Sequence, residues 1–158
     1  MNTVQPKIGQ VDPDKISIRN IKITNAQVNS LLDEPVNDQD DVKIQLNTTT
    51  MFNQENESRI IFQINITKRK ESGEEIANAT FTIQFDFHVE NLDEFLSYPD
   101  GPEKDSLTAD ASIGSTLMGI AYSTSRGIIL TRSNGTPLQG VILPVIDPRN
   151  LLTTEIDE

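Results

Sequence analysis

The chain has 158 residues, of which 35 % are hydrophobic and 5 % aromatic. That length suits one domain, and a domain of this size buries ~70 % of the surface its unfolded chain exposes. Twenty-four acidic residues against 13 basic ones leave a net charge of −11, with no basic stripe interleaved with aromatics. Such a surface repels a phosphate backbone and excludes nucleic acid as a partner. Cysteine is absent, which excludes disulfides and thiolate metal sites and suits a reducing, cytoplasmic setting. Residues 1–9 show no apolar run after a basic start, so no secretory signal is expected. Residues 113–130 carry Arg126 and many Ser, Thr and Gly, and do not make the ~20-residue apolar stretch of a membrane span.

In chain order, residues 1–14 are polar, contain Pro6 and Pro13, and are expected to form a disordered tail ahead of a single domain over 15–158. A run of β-branched residues follows: Ile16, Ile18, Ile21 and Ile23. Its apolar parity changes between Ile18 and Ile21, which in a strand means a bulge or a switch of face. Residues 31–41, with Pro35 and several Asp, read as a loop.

Three cleaner strands come next. Val42, Ile44, Leu46 and Phe52 share even positions, as do Ile60, Phe62, Ile64 and Ile66, whereas Phe81, Ile83, Phe85, Phe87 and Val89 are all odd. Period-two alternation puts each set on one face and the intervening polar residues on the other. The short polar connections at 53–57 and at 70–75, with Gly73, predict antiparallel hairpins. Residues 90–105 form a longer connection holding Phe95, Leu96 and Tyr98 among six acidic residues. Ser106 or Thr108 is then placed to cap a helix that runs to Ser133 and stops at Asn134-Gly135. After the apolar segment 140–146, Asp147-Pro148 makes an N-cap and first-turn pair for a short last helix with Leu151, Leu152 and Ile156.

The long helix has an informative spacing. Ala111, Ser115, Gly119, Ser123 and Gly127 recur every four residues as a seam of small side chains. Leu117, Ile120 and Ile128 lie on a second side, and Met118, Tyr122 and Ile129 on a third. A helix apolar or small nearly all round is normally covered, and one small sheet covers only one side. The seam of Ala111, Ser115, Gly119 and Ser123 is therefore expected at an oligomer contact, the alternative being tight packing on the chain's own sheet.

No catalytic constellation is present. His88 is the single histidine and shares a strand face with Asp86, but no second His, positioned nucleophile or acidic cluster accompanies the pair. It reads as a surface histidine. The helix glycines lack the Lys-Ser or Lys-Thr ending of a phosphate loop. Asn47-Thr48-Thr49 and Asn65-Ile66-Thr67 match glycosylation acceptors and read more simply as polar strand residues. Neither a metal nor a cofactor is expected, and the chain is not expected to be an enzyme.

The order of these elements, with several local motifs, resembles the SecB family of export chaperones. Residues 41–52, DVKIQLNTTTMF, resemble the family's second strand and residues 58–68, SRIIFQINITK, its third. Ser72-Gly73-Glu74-Glu75 is similar to its Leu-Gly-Glu-Glu turn. Residues 126–143 followed by Pro144-Val145 resemble the helix end, the Gly-Thr-aromatic-Pro turn and the Leu-Ala-Pro-Val segment, with Gly135-Thr136-Pro137 lacking the aromatic. The resemblance covers residues 16–152. It implies an α+β fold: a four-stranded antiparallel sheet with one long and one short helix.

The resemblance also implies an ATP-independent holdase for unfolded or pre-export polypeptides, assembled as a dimer or a dimer of dimers. Phe95, Leu96 and Tyr98 correspond in place and character to one wall of the family's client groove, and Leu138, Val141, Leu143, Leu151 and Leu152 to the other. These residues equally suit closing the core beneath a long loop. Docking on the motor SecA uses acidic residues on the outer sheet face in this family. Here the corresponding positions hold Asn25, Asn29 and Phe81 or Thr82, which implies weak or absent SecA binding. A dedicated antitoxin chaperone and an adaptor for one folded partner are the alternatives.

Overall fold

The computed structural model describes residues 9–31, 40–97 and 107–152. Four long strands, β1 (Ile16–Ser30), β2 (Asp41–Phe52), β3 (Glu57–Arg69) and β4 (Glu75–Val89), form an antiparallel sheet in the order β1-β4-β3-β2. The fold is α+β, as expected. The two hairpins close where the sequence places them. The Asn53 amide donates to the Glu57 carbonyl at 3.0 Å, and the Lys70 amide to the Glu74 carbonyl at 2.9 Å. Gly73 takes a φ of +89°, a value side chains rarely adopt, so it turns the second hairpin.

Register explains the parity change in β1. Ile18 faces Phe87 and Asn20 faces Asp86, so Arg19 is the extra residue of a bulge; a second shift falls between Ile23 and Asn25. Both bulges keep Ile16, Ile18, Ile21, Ile23, Ala26 and Val28 in register with the inward residues of β4. The inner face is then a set of rows, such as Ile44-Ile66-Ala79-Val28 and Thr48-Phe62-Ile83-Ile23. Its β3 and β4 members are buried, whereas β1 and β2, at the edges, stay half-buried or exposed.

One long helix, α1 (Ala111–Arg132), lies across this face. Ile113, Leu117, Met118, Ala121, Tyr122 and Ile129 are buried against the sheet, and the Tyr122 ring meets Phe62 edge-on at 6.1 Å. The cap differs from the expectation at Ser106 or Thr108. Thr108–Ala109 (β6) pairs instead with Leu96–Ser97 (β5) in a small second sheet, and Asp110 caps the helix. Its Oδ1 accepts from the Ser112 amide at 2.8 Å and the Ser112 hydroxyl at 2.6 Å. Asp ranks above Thr as a cap, and this one satisfies an amide the helix leaves unpaired.

These bonds, the hydroxyl first and the amide second, hold the Asp110 carboxyl below the usual carboxylate range. A lowered folded-state value stabilises at neutral pH and loses that contribution as pH falls through it. Asp110→Ala is expected to cost about 1 kcal/mol at neutral pH. Urea titrations should show the difference from wild type shrinking below about pH 4, where the carboxyl protonates.

Among the described residues the last element is a 3-10 turn, Pro148–Leu151, capped by Asp147 as anticipated. Ile156 lies outside the described residues, as does most of the 31–41 loop. Leu152 sits 3.2 Å from where a Cβ on Gly114 would be, and Pro148 at 3.3 Å from one on Gly119. Small residues in α1 therefore let this turn lie close. At the other end of the chain, residues 9–14 of the stretch read as a tail lead into a 3-10 turn, Pro13–Lys15, and place Val11 against the core.

Candidate functional site

Because β2 is an edge strand and α1 covers the middle of the sheet, the inward residues Val42, Ile44 and Leu46 are only half-buried. Residues 138–146 run beside them. The Arg126 Nε donates to the Leu143 carbonyl at 3.0 Å, and the Tyr122 hydroxyl to the Pro144 carbonyl at 2.5 Å. Burial raises the Tyr122 phenol above its ordinary value against the opposing pull of Arg126, so the hydroxyl stays a donor. Two bonds from α1 thus fix this segment. Along it Val141 and Leu143 turn inward, while Ile142 is 60 % and Val145 84 % exposed.

Between β2 and this segment lies a groove made of two hollows. One, of about 600 Å³, is lined by Val42, Ile44, Leu46, Tyr122, Leu143 and Ile146 among others. The other, of about 650 Å³, shares Val42, Ile44 and Pro144 with it and adds Lys68, Gln139, Val141 and Ile142. The combined lining is mixed and open: apolar Val42, Ile44, Leu46, Val141 and Ile142 alternate with polar Lys43, Gln45, Asn47, Lys68 and Gln139. A further hollow of about 540 Å³ at the end of the sheet is floored by Arg59 and Asp86, an ion pair already closed at 2.7 Å.

The expected client residues separate into two groups. Phe95, Leu138, Val141, Leu143 and Leu151 are at most 8 % exposed in this chain and belong to the core cluster, while Val141, Leu143 and Leu151 also line the hollows of the groove. Phe95 is covered in part by Gly9, whose built Cβ would lie 3.0 Å from the ring. Leu96 and Leu152 are half-buried, and Tyr98 lies outside the described residues. Phe95 and Leu96 line neither hollow of the groove. Strand β2 supplies the facing wall instead.

In the helix seam, Ala111 and Ser123 are exposed and Ser115 and Gly119 half-buried, with Gly119 against Pro148 of the same chain. Gly127 has nothing within 4 Å of a built Cβ. Part of the seam therefore serves the chain's own last turn and part is open.

On the outer sheet face, Phe81 is fully buried from the other side and Thr82 is the outward residue, in register with Asn25. Asn29 donates to Asn78 at 2.9 Å. The centre of this face is an uncharged Asn, Gln and Thr surface. Asp86 beside His88 belongs to Arg59, whose hydrogen bond is the main cause holding its carboxyl below the usual range. Among the described residues no three His, Asp or Glu side chains gather as a metal site.

Sequence reasoning missed Lys68. It continues the inward parity of Ile60, Phe62, Ile64 and Ile66, and that parity is the signal: a cation on an apolar face.

No protein-family model matches the chain, and no curated protein does. Among solved structures, a protein of unknown function from Streptococcus agalactiae aligns over 82 % of this chain and 97 % of its own at 8 % identity and a TM-score of 0.31. The Rv1957 SecB-like chaperone of Mycobacterium tuberculosis, in complex with a ChAD peptide from the Rv1956 HigA1 antitoxin, aligns over 84 % of this chain and 91 % of its own. The TM-score is 0.59 at 15 % identity. The chain thus has a SecB-like fold.

Proposed function

We propose that this protein is an ATP-independent chaperone that holds unfolded polypeptide along the groove between β2 and residues 138–146. The carrying observation is the open apolar strip there, from half-buried Val42, Ile44 and Leu46 to exposed Ile142 and Val145. Unfolded chains share exposed apolar side chains, and burying each one gains ~1.5–3 kcal/mol before ordering costs. Several such contacts reach micromolar affinity, about −8 kcal/mol, without a specific pocket. The net charge of −11 opposes self-association through the exposed apolar side chains. A cytoplasmic setting and assembly as a dimer or dimer of dimers through the open part of the α1 seam complete the reading.

The test is light scattering of a denatured client diluted into the protein without ATP. Wild type is expected to suppress aggregation. The double variant Ile142→Ser, Val145→Ser is expected to lose most protection at unchanged thermal stability, because both side chains already face water. Absence of protection by wild type, or full protection by the variant, would sink the reading.

Service to an antitoxin rather than general export is favoured by two observations. The structurally similar mycobacterial protein was solved with an antitoxin peptide, and the outer face here offers Asn25, Asn29 and Thr82 where motor docking through charge-assisted pairs needs carboxylates.

A further inference from the structure

Lys68 is a cation on the inner face of β3, in register between Val42 and Ala77, and it is only 6 % exposed. Its neighbours along the strand on that face are Ile66, Ile64 and Phe62. Burying an ammonium is costly unless it is paired and hydrogen-bonded. Its one hydrogen bond among the described residues is to the Pro137 carbonyl, at a long 3.4 Å, and no carboxylate lies within ion-pair distance there. An ammonium has three donors, so most of its capacity is unused within the chain. The same side chain lines the roughly 650 Å³ hollow of the groove.

Two neighbours bear on what the hollow accepts. Gln139 also lines it; its Oε1 accepts from the Gly135 amide at 3.0 Å, which leaves the –NH2 of the side chain as a further donor. Asp40 also lines the hollow and has an interaction of its own. The remaining walls are Val42, Ile44, Gly140, Val141, Ile142 and Pro144. The hollow therefore combines apolar walls, donors and the buried Lys68 ammonium, with the Asp40 carboxylate also on its lining.

We infer that this end of the groove is a carboxylate subsite, in which Lys68 pairs with a carboxylate of the bound polypeptide while the adjoining apolar residues lie against Val42 and Ile44. The carboxylate is either the chain terminus or an Asp or Glu side chain within an apolar stretch. This inference rests on the groove being the polypeptide site. It adds a preference that general apolar holding lacks.

The test uses one fluorescent apolar nonapeptide in three forms: free C-terminal acid, C-terminal amide, and amide with a penultimate Glu. Binding to the full chain is followed by anisotropy at low and high salt. At least one carboxylate form is expected to bind wild type about tenfold tighter than the plain amide, since charge-assisted hydrogen bonds are the strong ones and burial discounts them. Which form does so identifies the terminus or the side chain as the source. Lys68→Met keeps the length and apolar stem and is expected to abolish the difference while still binding the amide. Lys68→Arg is expected to keep it. Equal binding of all three forms to wild type overturns the subsite and leaves the groove intact, as does a preference that survives in Lys68→Met. Failure of all three forms to bind wild type overturns the groove reading and the subsite with it. The wild-type comparison decides the matter even if a variant fails to fold.

Discussion

Phe62→Ala is expected to lower the unfolding free energy by about 3–5 kcal/mol. Phe62 is fully buried at the centre of the inner face, and its ring meets Phe85 at 6.1 Å and Tyr122 at 6.1 Å, both edge-on. Truncation removes the transfer free energy of the ring and leaves a cavity between sheet and helix that neighbours on a rigid sheet fill poorly. Each edge-on pair adds about 0.5–1.5 kcal/mol beyond area. Total stabilities of domains are about 5–15 kcal/mol, so this loss is a large share of the whole. Urea denaturation followed by circular dichroism measures it. A loss under about 1 kcal/mol would mean that α1 does not pack on β3 as described.

Leu143→Ala is expected to cost about 2–5 kcal/mol and to weaken client holding as well. Leu143 is 1 % exposed, and its carbonyl accepts the Arg126 bond that ties the groove wall to α1. The side chain plugs the core while its backbone positions Ile142 and Pro144 on either side. A cavity beneath the wall should let the segment shift, so stability and holding fall together. Serine at Ile142 and Val145 should affect holding alone. Paired measurements of urea midpoint and aggregation suppression separate the two behaviours. A Leu143 variant of wild-type stability that had lost holding would instead make Leu143 a direct client contact.

Much of the architecture was legible in the residues. Alternation is a local property: side chains at i and i+2 share a face whatever the sheet does around them. Ile60–Ile66 and Phe81–Val89 therefore announced both their strands and the face that is buried, and the shift from Ile18 to Ile21 announced the bulge at Arg19. Gly73, Gly135 and the Asp147-Pro148 pair marked turns and a cap for equally local reasons. The start of α1 was misplaced because Thr108 is a sound cap in isolation, and only its pairing with Ser97, 11 residues earlier, commits it to a strand.

The groove was legible in part. The resemblance implied a wall at residues 141–146, but period two says which face a residue takes and nothing about where its strand lies in the sheet. Strand order alone left Val42, Ile44 and Leu46 open at an edge while covering Ile64 and Ile66 one strand further in. The same holds for the helix: a four-residue recurrence places Gly119 and Ser123 on one side, yet only the path of the chain after residue 146 laid Pro148 on the first and left the second exposed. Residues 42, 44 and 46 by themselves determine a strand with one apolar face. Their openness was decided by the tertiary structure, because burial depends on what packs against a face, and those neighbours come from the far end of the chain.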